Sequence, residues 1–217
     1  MQSQLGLTRP DGTGPPASFN QVTVQHLLEH TSGLPSNPYG VEPSVAAAFN
    51  AQLPVDGMMT DRYMLTLPAS APPATFAYNN WGYFLLGHVV RAVTGETTLV
   101  RALDTLLFEP LGITRIRQAC TRLEDQPSDE VRYHPTWFNT GRRVVEPDRR
   151  LRASGFGGFD NFERDDAGGG LTGATVDVVR LLAMLDVRTN NPVFSRPTIA
   201  NLFALAVPEG DMASTPP

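Results

Sequence analysis

Two polar side chains stand two positions apart in Phe76-Ala77-Tyr78-Asn79-Asn80-Trp81-Gly82, where a loop runs into a helical pattern. At a helix start such side chains can project into a cleft, and the helix dipole favours negative charge there. In that field a phenol can relay a proton and a carboxamide can orient a carbonyl. Tyr78 and Asn80 are therefore the candidate catalytic residues. The same spacing admits a structural reading, in which Asn79 or Asn80 caps the helix and Tyr78 is a half-buried aromatic.

A second constellation is His26-Leu27-Leu28-Glu29-His30, which satisfies the zinc pattern His-x-x-Glu-His. On a helix the two histidines, at i and i+4, share a face, and Glu29 could act on a bound water. Glu96 could be a third ligand. The helix is only about two turns long before Gly33 stops it, so neither metal nor cofactor is assigned and zinc hydrolysis stays a remote alternative. Arg142, Arg143, Arg149, Arg150 and Arg152 could hold an anion. Asp160, Glu163, Asp165 and Asp166 follow closely, however, and a solvated, mutually compensating loop accounts for both runs. Gly155-Phe156-Gly157-Gly158-Phe159 reads as a mobile flap or as a turn-rich connection. Trp81, beside a helix start, reads as core.

The elements that must position these residues follow from periodicity and punctuation. Thr23 can cap a short helix with Val24, Leu27 and Leu28 on its apolar face. A Pro-rich stretch follows, interrupted by a short helix around Pro43 to Gln52. The strongest helix starts at Asn79 or Asn80, carries Leu86, Val89, Val90 and Val93 at i, i+3, i+4, i+7, and ends at Gly95. Another from about Thr97 to Phe108 buries Leu99, Ala102, Leu103 and Leu106 and stops at Pro110. Val131 to Pro135 and Arg142 to Glu146 read as a hairpin around Asn139-Thr140-Gly141. Arg149 to Gly170 reads as a long loop. A helix from about Ala174 to Leu185 puts Val178, Leu181, Leu182 and Leu185 on its core face, and a shorter one covers about Pro197 to Leu205.

Composition narrows the chemistry. All 17 basic residues are arginine, so Schiff bases, P-loop phosphate binding and Ser-Lys dyads have no lysine to use within these 217 residues. The net charge of −5 is the wrong sign for a general nucleic-acid binder. The single Cys120 cannot form an internal disulfide. No run approaches the length of a membrane span, and Met1 to Pro16 lacks the apolar core of a signal peptide.

Four segments, in order, resemble the serine β-lactamase and penicillin-binding protein superfamily, most of all its class C β-lactamase and esterase branch. Tyr78-Asn79-Asn80-Trp81-Gly82-Tyr83-Phe84-Leu85-Leu86-Gly87 resembles the Tyr-x-Asn motif, with Tyr78 and Asn80 at its two functional positions. Val22 to Pro35 resembles the helix and turn downstream of the nucleophile. Phe108 to Ile113 resembles a Glu-Pro-Leu-Gly-Met turn, and Gly168 to Arg180 a Gly-Gly-Leu-x-Ser-Thr helix start. The resemblance implies hydrolysis of an amide or ester through an acyl-serine, with a Ser-x-x-Lys nucleophile and a Lys/His-x-Gly strand. Neither motif is in this sequence; the nearest serine, Ser18, is followed by Phe19, Asn20 and Gln21.

The expectations are accordingly these. The fold is α+β and mostly helical: the helical lobe of the β-lactamase/transpeptidase-like fold with a small β-hairpin, most of the central antiparallel sheet missing. An irregular lead-in (1–21) precedes a partial domain (22–205) and an irregular tail (206–217). His30, Ser32 and Gly33 support the site. The partner is a small-molecule or peptide acyl substrate (a β-lactam, a peptidoglycan stem peptide or an ester), with no nucleic acid and no membrane span, and the missing parts of the same fold are a further candidate partner. The chain is expected to be inactive alone, with a non-catalytic binding module as the alternative. Leu27, Leu86, Val90 and Leu181 are expected to expose an apolar patch and cause aggregation.

Overall fold

The computed structural model describes residues 5–134, 139–186 and 191–204. Among the described residues helices dominate, with two small antiparallel sheets. The first helix, α1 (Val24–Leu28), opens on a capping box: the Thr23 hydroxyl accepts from the His26 amide, and His26 Nδ1 accepts from the Thr23 amide. Leu27 is buried, whereas Val24 faces solvent. Helix α2 (Glu42–Phe49) ends at Asn50, and α3 (Gly57–Met64) is capped by Asp56, whose carboxylate accepts from the Met59 amide at 2.6 Å. Helix α3 falls inside the stretch read as loop. Its one sequence signal is the capping aspartate, and its buried residues include polar Thr60 and Asp61.

Helix α4 (Asn80–Thr94) is the longest among the described residues, and Gly95 closes it at φ 74°. Its buried face is Trp81, Phe84 and Leu85, displaced from the expected Leu86, Val89, Val90 and Val93; Val93 is exposed. Close approach of the turn Asp166–Gly168 decides the face. A Cβ at Gly87 would stand 2.7 Å from the Ala167 Cβ, and one at Gly168 would stand 2.1 Å from the Phe84 ring. Trp81 is fully buried, as read, stacks on Phe19 at 6.4 Å and donates its indole N–H to Asp61 at 2.7 Å. Leu7, Val22, Leu27, Leu34, Met64 and Leu65 complete this core, so the first 21 residues contribute Leu7 and Phe19 to it. Each such large apolar side chain contributes about 1.5–3 kcal/mol on burial.

Helix α5 (Leu99–Leu103) starts at Thr98 and buries Leu99 and Ala102, while Leu106 is exposed. It does not stop at Pro110. A widened turn (Asp104–Phe108) leads into Glu109–Leu111, and Gly112 ends the run at φ 64°. Pro110 lies inside this run, directly after the widened turn in which the Glu109 N–H donates to the Asp104 carbonyl, and that wider turn accommodates a residue with no N–H.

The strands differ from the sequence expectation. Strand β1 (Ile116–Gln118) pairs antiparallel with β4 (Leu171–Gly173), Ile116 opposite Gly173. Strand β2 (Thr140–Arg142) pairs with β3 (Leu151–Ala153), Thr140 opposite Ala153. The expected pairing of Val131–Pro135 with Arg142–Glu146 is not formed: Val131 to His134 are irregular, and Pro135 lies outside the described residues. The hairpin turns instead at Glu146-Pro147-Asp148-Arg149, where the Asp148 carboxylate accepts from the Arg150 amide and Arg149 adopts φ 48°. Pro-Asp is a stronger turn former than Asn-Thr because proline presets the first turn angle. A short helix, α6 (Phe162–Asp165), lies between β3 and β4. Helix α7 (Thr175–Ala183) is held by buried Asp177, which accepts from the Thr114 and Arg115 amides. Its expected core face is only half formed: Leu181 and Leu185 are half-buried, but Val178 and Leu182 are exposed. Helix α8 (Arg196–Ala204) buries Ile199.

Candidate active site

The site is built where α1 ends and α4 begins. After α1 the chain turns through His30 (φ 55°) and Gly33 (φ 68°). The carbonyls of His30, Thr31 and Gly33 then accept from the amides of Ala77, Ala74 and Ser70 at 2.8–2.9 Å. These bonds clip the Pro-rich segment before α4 onto the end of α1. Gly33 is required there, since a Cβ would lie 2.8 Å from the Ser70 carbonyl oxygen. Ser32 is buried, and its hydroxyl accepts from the Leu34 amide at 3.4 Å.

The clipped segment delivers Tyr78 and Asn80 side by side. Asn79, not Asn80, is the helix cap: its side-chain oxygen accepts from the Gly82 amide at 2.8 Å, and its amide group donates to the Leu34 carbonyl at 2.9 Å. Its backbone N–H donates to His30 Nδ1 at 3.1 Å. Asn79 is accordingly buried, while Asn80 is partly exposed and Tyr78 is 55% exposed. Neither the Tyr78 hydroxyl nor the Asn80 carboxamide has a hydrogen-bond partner among the described residues. The His30 ring packs against Tyr78 at 4.8 Å, Tyr83 at 5.1 Å and Phe76 at 5.7 Å. Burial holds the His30 pKa below the ordinary histidine value. Tyr83 is raised by its own burial and secondarily by the Tyr78 phenol.

The zinc pattern does not assemble into one helical face. Helix α1 stops at Leu28, His30 lies beyond it in the left-handed region, and each imidazole Nδ1 is occupied by a backbone amide. No group of three or more metal-binding side chains is placed to share an ion among the described residues. Glu96 pairs with Arg101 at 3.2 Å.

Within the arginine run Arg143 and Arg150 are compensated, by other partners than expected. Arg143 pairs with Glu146 and Asp148, and Arg150 with Asp148 at 3.0 Å. The acidic run is used elsewhere: Asp165 binds Arg164, Asp166 binds Arg91, Glu163 accepts from Thr121, and Asp160 accepts from Ser154. The Gly155–Phe159 segment is a packed turn in which Phe159 lies 5.5 Å from Tyr39 and Phe156 lies 5.4 Å from Tyr133.

Sequence reasoning missed two polar clusters beside the site. In the first, Arg164 is fully surrounded; it pairs with Glu42 and Asp165 and donates to the Pro38 carbonyl at 3.3 Å. Burial raises the Asp165 pKa to about 6 although Arg164 opposes the shift. In the second, His88 Nε2 lies 2.5 Å from Asp61 Oδ2, while Asp61 Oδ1 accepts from the Trp81 indole. The spacing of Asp61, His88 and Trp81 along the chain carries no pattern that would reveal this cluster.

The beta-lactamase family model matches residues 12–214, nearly the whole chain. The chain belongs to the beta-lactamase family. Esterase EstB of Burkholderia gladioli is 30% identical over 197 residues, covering 83% of this chain and 47% of its own. The octameric penicillin-binding protein homologue from Pyrococcus abyssi superposes with a TM-score of 0.55 at 25% identity, covering 92% of this chain and 41% of its own. A D-stereospecific amidohydrolase from Streptomyces shares the fold, with a TM-score of 0.56 at 19% identity over 85% of this chain and 54% of its own. The chain thus spans about half or less of the length of these relatives. No helix among the described residues is long and apolar enough to cross a membrane.

Proposed function

We propose that this beta-lactamase-family chain forms the acyl-recognition wall of a serine hydrolase for amides or esters. Tyr78 stands in the proton-relay position and Asn80 orients the acyl group. The observation that carries this reading is the division of labour at the start of α4. Asn79 takes the structural hydrogen bonds, and the neighbouring phenol and carboxamide stay available to a ligand. In acyl transfer a proton must pass from nucleophile to leaving group, and a phenol at the positive end of a helix suits that task. The relatives' names cover an esterase, a penicillin-binding protein homologue and an amidohydrolase, which supports an acyl substrate.

The lysine-free sequence favours a second statement: the chain alone binds acyl ligands without forming an acyl-enzyme. Incubation with a fluorescent penicillin or a fluorophosphonate, followed by intact mass measurement, is expected to show no adduct. A stoichiometric adduct on any serine would overturn that statement. Titration with a β-lactam and with D-alanyl-D-alanine is expected to show saturable binding that Asn80→Ala weakens about tenfold, the worth of one hydrogen bond. Absence of binding to either ligand would remove the recognition role.

A further inference from the structure

We propose that His30 is the positioning residue of this site, holding the Tyr78–Asn80 turn through a neutral imidazole that accepts at Nδ1. Its functional meaning rests on the reading of Tyr78 and Asn80 above; its geometry does not. The Asn79 N–H is buried, so it cannot turn to water for a partner, and His30 Nδ1 at 3.1 Å is the acceptor it has. The same histidine grips the segment at a second point, its carbonyl accepting from the Ala77 amide at 2.9 Å. Its ring lies against Tyr78 on one side and Tyr83 and Phe76 on others. One side chain therefore touches the residues before, at and after the candidate relay. It does so from a left-handed backbone, φ 55°, which costs a residue with a Cβ about 1–2 kcal/mol.

The contact works in one protonation state only. Neutral imidazole with its hydrogen on Nε2 presents an acceptor at Nδ1, whereas imidazolium has two donors and no acceptor. Protonation would set an N–H against the Asn79 N–H and release the turn. Around the ring, the packed titratable groups are the phenols of Tyr78 and Tyr83. The nearest carboxylate in sequence, Glu29, accepts instead from Gln25. Burial lowers the His30 pKa, so the neutral form persists below the usual titration range. Tyr78 and Asn80 should then lose their alignment together on acidification.

The test uses the intact chain. Long-range proton–nitrogen NMR reads the imidazole tautomer, amide hydrogen exchange reads Asn79, and ring resonances read Tyr78. The wild type should show the Nε2–H tautomer at neutral pH and a Tyr78 shift that titrates below pH 6.5. His30→Ala should lose about tenfold of the Asn79 protection, as one lost buried hydrogen bond predicts. His30→Asn offers an amide oxygen close to where Nδ1 stood and tolerates positive φ. It should keep the protection and abolish the titration. An Nδ1–H tautomer in the wild type, unchanged Asn79 protection in His30→Ala, or a titration that survives in His30→Asn would each overturn the proposal. Should His30→Ala fail to fold, the wild-type tautomer and the His30→Asn titration decide. These readouts need no acyl ligand, so failure of ligand binding leaves them intact.

Discussion

Asn79 and Asn80 are adjacent and chemically identical, yet the fold assigns them opposite duties. Asn79 satisfies Gly82, Leu34 and His30, while the Asn80 carboxamide has no hydrogen-bond partner among the described residues. The two should separate in a denaturation experiment. Asn79→Ala should cost about 1–2 kcal/mol as a lost cap; Asn80→Ala should stay within about 0.5 kcal/mol and act on ligand binding alone. Gly33→Ala should cost about 2 kcal/mol or more in urea unfolding, from the left-handed φ and the Ser70 carbonyl in its way. The sequence named both Asn79 and Asn80 as possible caps and could not choose between them. A cap is decided by which side chain reaches the first free amides, and here that depended on Leu34 and His30, far away in sequence.

At the scale of elements, Arg164 ties α6 to α2 and to the loop at Pro38. Glu42, Asp165 and Arg164 are all buried, so removing the cation strands two carboxylates. Arg164→Met should destabilise the chain by about 3–5 kcal/mol, read from chemical denaturation. The Asp165 carboxyl, with its pKa raised from 3.8 to about 6, gives a pH test. Between those values the folded state holds a proton that the unfolded chain has released. The stability linked to Asp165 is therefore complete below the unfolded pKa and is lost as pH rises through about 6. Carbon-detected NMR should find this titration, and Asp165→Asn should remove that slope from the melting curves. Helix α4 was legible as an element from its apolar repeat and its closing glycine. Its buried face was not, because Gly87 and Gly168 admit a turn that no local pattern announces.

For the whole molecule, apolar surface is unevenly covered. Leu27, expected to be exposed, is core, whereas Val178, Val179 and Leu182 of α7 face outward. Beside them runs a groove of about 250 Å³ lined by Leu103, Leu107, Phe108, Ile116, Leu171 and Leu181. Contiguous apolar surface of this kind drives association. Size-exclusion chromatography with light scattering should show concentration-dependent self-association. Val179→Glu combined with Leu182→Glu should suppress it while leaving the melting temperature nearly unchanged. A monodisperse wild type at high concentration would contradict this.

Local chemistry carries a long way in this chain. Thr23 and Gly95 mark helix ends because capping and left-handed turns have few residue solutions, whereas α1 stops at Leu28, short of the expected Gly33, which takes its left-handed φ in the turn beyond. The ordered motifs around Tyr78 carried the family, since they combine residue type with spacing. Pairings between distant segments lay beyond the sequence: β1 with β4, Arg164 with Glu42, and His30 with Asn79. These contacts join residues with no local periodicity in common. They form because burying a polar group requires a partner, and only the folded chain decides which partner is within reach.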